Sequence, residues 1–263
     1  MSTTSYAVAD SATMLRRNLR RMQRYPGMTI TLVAMPIVFL LLFVYVFGAS
    51  LGAGIGGPSG GRSQYVNYVT PAIILMTITS AVQGTSISVA MDMTEGIVDR
   101  FRTMAIARVS ILTGHVVGSL VQTMLGITTV TGVALLIGLR PAADTSDWLA
   151  LIGLLVLMSL ALIWLAVALG LASKTVEASS NVGMPLVLLP FLGSGFVPTG
   201  SMPTGLRWFA QYQPFTPMID TIRGLLTGAP IGHSGVLAVA WYVAITLGGY
   251  LWSKRLFNRE STR

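Results

Sequence analysis

The sequence contains no cysteine. That excludes a disulfide framework, thiol chemistry and any cysteine-ligated metal site. Charge is almost as scarce: charged residues make up 10% of the 263, against 53% hydrophobic, and the mean hydropathy is +0.71. A water-soluble domain covers itself with roughly 25% charged residues, so most of this chain's outer surface faces lipid. Acidic residues are the scarcest charges, 9 against 17 Lys and Arg, which leaves a net charge of +8. The arginines cluster beside apolar segments, where anionic headgroups lie, so membrane lipids rather than nucleic acid answer that charge. Metal chemistry lacks its motifs as well. There is no HExxH, no CxxC and no paired His and carboxylate set, and His115 and His233 lie far apart. The stretch Gly170–Thr175, GLASKT, resembles the end of a phosphate-binding loop. Ser173 stands where that loop requires glycine, and its earlier part is missing. Any ATP this protein uses is bound by another chain.

What the sequence does have is long apolar runs. A membrane-crossing helix needs about 20 residues with few or no charges. Six windows qualify: Met28–Phe47, Val66–Met91, Ile111–Gly138, Trp148–Leu171, the shorter Ala178–Phe196, and Val236–Trp252. Each is apolar all round rather than striped, which argues against a core helix of a soluble protein. The expected fold is an all-α membrane protein with six transmembrane helices. The first run follows arginines as a signal peptide would, but it is too long for one and lacks a cleavage site, so it reads as a retained span. The windows hold no Asp, Glu, Lys or Arg, which argues against a proton relay within the spans and leaves sodium coupling open. Loop charges set the orientation. One side carries Arg16, Arg17, Arg20, Arg21 and Arg24, then Arg100, Arg102 and Arg108, Lys174, Lys254, Arg255, Arg259 and Arg263; the other carries Arg62, Arg140, Arg207 and Arg223. Both termini are therefore expected in the cytoplasm. Gly52–Gly61 reads as a flexible outer loop.

Three segments are not spans. Asp10–Tyr25 reads as a surface helix ended by Pro26, with Leu15, Leu19 and Met22 on one face and its five arginines on the other; such a helix lies in the interface plane or serves as a plain positive-inside anchor. Met91–Arg108 reads as a short amphipathic helix. Ile97, Val98, Phe101, Met104 and Ala105 form a stripe, and Glu95, Asp99 and Arg102 lie opposite. Its mixed charges suit a protein partner better than a lipid surface. Phe196–Gly228 holds Pro198, Pro203, Pro214 and Pro217, which forbid one continuous helix, yet Leu206, Trp208, Phe209, Tyr212 and Phe215 are too apolar for a free loop. Two short helices that dip into the outer leaflet and return, broken at Pro214 and Pro217, satisfy both constraints. Asp220 and Arg223 stand three apart on the second and can neutralise each other. Among polar positions inside the spans, Gln83, Ser86 and Gln122 either line a substrate path or satisfy helix contacts. Gly118, Ser119 and Gly126 permit close helix approach.

These features in this order resemble the ABC-2 permeases, close to the daunorubicin/doxorubicin-resistance type. The resemblance is carried by the basic helix before the first span, by EGIVDRFRTMAIAR (Glu95–Arg108), by FVPTGSMP (Phe196–Pro203) and by QPFTPMIDTIRGLL (Gln213–Leu226). It covers nearly the whole chain, with Gln213-Pro214 where many relatives have Asn-Pro. It implies a connecting helix over residues 1–26, including Arg16, Arg17, Arg20, Arg21 and Arg24, and a single ABC-2 type transmembrane domain over 27–263. It implies a coupling helix that docks on an ATPase through Glu95, Gly96, Asp99, Arg100, Phe101, Arg102 and Met104. It further implies outer re-entrant helices, with Pro198, Pro203, Trp208, Pro214, Pro217, Asp220 and Arg223, that form a lid over the exit. The implied assembly is a homodimer of permeases with two separate ATPase subunits in a bacterial plasma membrane. ATP and Mg are held by those partners, and the chain itself is not an enzyme. The implied substrates are hydrophobic or amphiphilic: drugs, lipids or glycoconjugates. A channel or sodium-coupled carrier, working without any ATPase, is the competing reading. A lipid-modifying enzyme is a third, and it lacks visible catalytic groups.

Overall fold

A computed structural model describes residues 26–56, 61–94 and 108–259. The expected surface helix over 10–25 and the expected docking helix Glu95–Met104 lie outside the described residues. Every regular element that is described is helical. In chain order these are α1 (Pro26–Leu42), a π-helical turn (Phe43–Phe47), α2 (Gly48–Gly56), α3 (Arg62–Thr94), α4 (Arg108–Ile137) and α5 (Thr145–Ala172). There follow α6 (Val176–Leu188) with a 3₁₀ extension (Leu189–Leu192), a 3₁₀ turn (Thr199–Ser201), α7 (Thr204–Tyr212), α8 (Phe215–Thr227) and α9 (Ser234–Arg259).

Five helical stretches are long and apolar enough to cross a membrane: Val33–Ile55, Arg62–Thr94, Thr113–Ile137, Thr145–Ala172 and Ser234–Phe257. Five of the six expected windows correspond to these stretches. The remaining window forms Val176–Leu192, 17 residues in two pieces: the α-helix runs through Pro185 to Leu188, a 3₁₀ turn with Pro190 follows, and Gly193 ends it. A correction concerns Gly52–Gly61. Residues up to Gly56 are helical as α2, not loop. Leu51 and Ile55 pack on the core, and a side chain at Gly52 would strike the backbone of Gly61. The glycine there serves close packing against the start of α3.

The bundle is organised around α3. Of its most apolar window 72% is buried, against 17% for α9, so α3 is the axis and α9 lies at the edge. Helices α1, α2, α4, α5, α6 and α8 all pack on α3, while α9 packs on α5 and α8. A central helix without water must satisfy its own polar groups. Thr70, Thr77 and Thr85 do so by donating to the carbonyls of Val66, Ile73 and Ala81 one turn back.

Contacts along α3 fix how the later elements run. The hydroxyls of Ser86 and Ser179 are 2.7 Å apart, and Gln83 Nε2 donates to Ser180 O at 3.3 Å. At the other end of α3, Tyr68 Oη donates to Ser194 O at 2.8 Å. The chain from α6 through its 3₁₀ extension thus travels from the level of residue 86 to that of residue 68, roughly 27 Å at about 1.5 Å per residue. Helix α8 runs antiparallel to α3. Leu226 O accepts from Ala142 N, Arg140 N donates to Asn67 Oδ1, and Arg223 reaches Tyr68 O. Gly228, left-handed at φ 71°, ends α8. The start of α8 is then deeper in the bundle, where Phe215, Met218 and Ile219 are buried. Helix α7 precedes it with Leu206, Trp208, Phe209 and Tyr212 exposed.

Candidate functional site

The polar groups collect at the two ends of α3. At the residue-68 end, Pro214 begins α8 and Pro217 falls in its first turn, where a missing N–H costs nothing. Helical spacing then puts Asp220 and Arg223 on one face, and Arg223 Nη1 donates to Asp220 Oδ1 at 2.8 Å. The other guanidinium nitrogen, Nη2, donates to Ser194 O at 2.7 Å and Tyr68 O at 3.3 Å. The guanidinium carbon sits 3.8 Å from the centroid of the Tyr68 ring, within cation–π range. Ser194 Oγ donates to Asp220 Oδ1 at 2.7 Å. One arginine therefore joins α8, α3 and the turn after α6. Its planar fork is what allows the three attachments, which a lysine's single ammonium could not reproduce.

The turn itself is seated by close approach. Ser194 N donates to Thr216 Oγ1 at 3.2 Å, and Gln213 Nε2 donates to the same oxygen at 3.3 Å. Gln213 Oε1 accepts from Phe215 N. A β-carbon on Gly193 would stand 2.7 Å from Gln213 Nε2 and 2.8 Å from Thr216 Oγ1, and one on Gly195 would stand 2.5 Å from the Ala72 β-carbon. Glycine is required at both positions for that reason. An aromatic cluster extends the seam to α1: Phe196 stacks on Phe191 at 4.6 Å and meets Phe43, in the π turn, at 4.6 Å.

Among the other sequence-predicted residues here, Pro198 precedes the 3₁₀ turn, Pro203 precedes α7, and Trp208 is 68% exposed on α7 beside Tyr212. Arg207 Nη2 folds back onto the carbonyls of Gly200 and Met202. Gln83 and Ser86 both contact α6, and Gln122 is half-buried on α4. The arginines of 16–24 and the Glu95–Met104 set fall outside the described residues. Sequence reasoning missed Tyr68 and Ser194, which lie 126 positions from each other and 155 and 29 positions from Arg223.

The other end of α3 holds a residue that the charge-free windows left out. The second window stops at Met91, but α3 continues to Thr94 and carries Asp92 into the bundle. Asp92 and His115 are each 5% exposed, and His115 Nε2 lies 3.0 Å from Asp92 Oδ2. With the carboxylate ionised, that nitrogen bears the proton it shares. Beside the pair lies a small apolar cluster of Val89, Val116, Ile163, Val167, Leu171 and Phe257. The helix interiors are therefore not free of ionisable groups. His115 is hydrogen-bonded within the bundle.

Comparison with known proteins agrees with this architecture. The ABC-2 type transporter family matches residues 11–227. The daunorubicin resistance ABC transporter permease protein DrrB1 of Streptomyces coeruleorubidus is 27% identical over 227 residues, covering 84% of this chain and 76% of that protein. With a family match over most of its length and five membrane-length apolar helices around α3, this chain belongs to the ABC-2 type transporter family and is a multi-pass membrane subunit.

Proposed function

We propose that the chain is the permease of an ATP-driven exporter, moving a hydrophobic or amphiphilic substrate out of the cell. The observation that carries this reading is the division of α3. One end holds the α7–α8 hairpin through Arg223; the other leads directly into residues 95–107. In this reading Val176–Leu192 makes the sixth crossing, because it covers the distance from residue 86 to residue 68 of α3. The α7–α8 hairpin dips into the outer leaflet and closes the exit. Residues Glu95–Met104 dock on a separate ATPase, which binds ATP and Mg, and the basic segment before α1 lies along the cytoplasmic surface beside it. Two permeases pair, and closure of two ATPase subunits shifts the pair between inward-open and outward-open packings. The drug-resistance relative suggests a drug-like cargo.

Orientation is tested by reporters active only in the cytoplasm. Fusions at Asp99, Lys174 and Arg263 are expected to be active, and fusions at Gly60, Asp144 and Arg207 silent; the reverse at Asp99 overturns the docking. Docking is tested by co-purification. Glu95→Lys with Asp99→Lys, and separately Phe101→Ala, should release the ATPase while leaving insertion intact, since charge reversal at a complementary interface costs several kcal/mol. Retention of full coupling by both variants overturns it.

The Asp92–His115 pair favours a second reading. Buried ionisable groups in a membrane protein often mark an ion path, as an ion-coupled carrier would need. Such a carrier moves daunorubicin, used as a probe, in vesicles containing this chain alone; the exporter does not.

A further inference from the structure

The Asp92–His115 pair lies between the two helix ends that bracket residues 95–107. Asp92 is two residues before the end of α3, and His115 is two turns into α4. Helices α3 and α4 already meet through apolar side chains, so burial alone would hold them together. A purely apolar contact tolerates sliding, because it has no directional term. The pair is directional, and it is buried with both members almost wholly removed from solvent. A second directional contact joins the same two helices further along, where the hydroxyls of Thr85 and Ser119 are 2.9 Å apart. Polar contacts at two levels of the same helix pair hold its register as well as its separation.

We infer that Asp92 and His115 are positioning residues of the transport cycle, a clamp that makes the ends of α3 and α4 move as one body. Force delivered to residues 95–107 then reaches α3, and through Arg223 the far hairpin, without being lost in relative sliding of the two helices. This rests on the reading of Glu95–Met104 as the ATPase contact, but it assigns a role to different residues and makes a separately measurable claim. Neither residue touches nucleotide or cargo in this role.

The absence of cysteine permits a direct test. Thr94→Cys and Ser110→Cys are introduced for spin labels, and the distance between them is measured in the intact permease–ATPase complex in vesicles. It is recorded in the resting state and with ATP and vanadate trapping the ATPase. With Asp92 and His115 present, one narrow distance is expected in both states. Asp92→Asn should lose that single distance and give a broad distribution. The swapped pair, Asp92→His with His115→Asp, should restore it. Leu162→Ala, a buried change on α5, supplies a destabilised control that keeps the narrow distance, so general loosening is distinguished from loss of the clamp. The inference is overturned if Asp92→Asn keeps the narrow distance, if the swap leaves it broad, or if Leu162→Ala broadens it equally. Failure of the docking reading shows elsewhere, as unchanged ATPase co-purification in Glu95→Lys.

Discussion

Near residue 68 of α3 the ionic contact is partly exposed and shared among three segments, whereas near residue 92 it is buried within the bundle. Arg223 and Asp220 have side chains 19% and 37% exposed, and their oxygens and nitrogens are shared with Ser194 and the carbonyl of Tyr68. The carboxylate–imidazole contact of Asp92 and His115 is buried beside apolar side chains. In a network whose charged members are partly exposed, water can reach the groups left behind when one member goes. A buried pair that loses a member leaves a polar or charged group without compensation. The first arrangement suits a joint that must come apart and re-form. The second suits a joint that stays closed.

The largest expected effect is at the buried pair. Asp92→Ala should lower stability by about 3–5 kcal/mol, whereas Asp92→Leu combined with His115→Phe should cost little or nothing. Thermal unfolding in detergent measures both, and equal losses in the two variants would remove the contrast between the ends of α3. At the network, Arg223→Ala should cost about 1.5–3 kcal/mol, the range for hydrogen bonds to a charged group. Arg223→Lys should recover only a minor part, because one ammonium cannot span Asp220, Ser194 and Tyr68. Full recovery would mean that charge alone matters there.

A smaller loss is expected at Gly193→Ala, where the new β-carbon crowds Gln213 and Thr216. Overpacking of this kind costs about 1–3 kcal/mol, and it should fall on the turn and hairpin rather than on the bundle. Faster labelling of a cysteine at Trp208, with unfolding temperature little changed, would report that. Smallest is the effect of Asp144, which caps α5 by accepting from Asp147 N and the Ser146 hydroxyl. These bonds hold its carboxyl below the usual carboxylate range. Its contribution is therefore present above the ordinary aspartate pKa and is lost as pH falls through the lowered one. Asp144→Asn should flatten that acid limb of the stability profile, and an unchanged profile would show the cap to be idle.

Much of this was legible in the sequence, for physical reasons that also mark where legibility stops. Apolar run length located the helices because lipid leaves no other use for such runs. The prolines located the break between α7 and α8, and the three-residue spacing of Asp220 and Arg223 placed both on one helix face. What escaped was long-range. Nothing local marks Tyr68 or Ser194 as partners of Arg223. Charge as a boundary marker also misled at Asp92, since His115 on another helix makes its burial tolerable. Gly52–Gly56 looked like loop because glycine is a poor helix former, but the packing against Gly61 favours a residue with no side chain.

The most direct test of the exporter reading is ATP-dependent uptake of the fluorescent drug probe into inside-out vesicles containing this chain and its ATPase. Uptake should require ATP and both subunits, and it should fall sharply in Arg223→Ala while ATP hydrolysis continues. Uptake by this chain alone, driven by an ion gradient and indifferent to ATP, would contradict it.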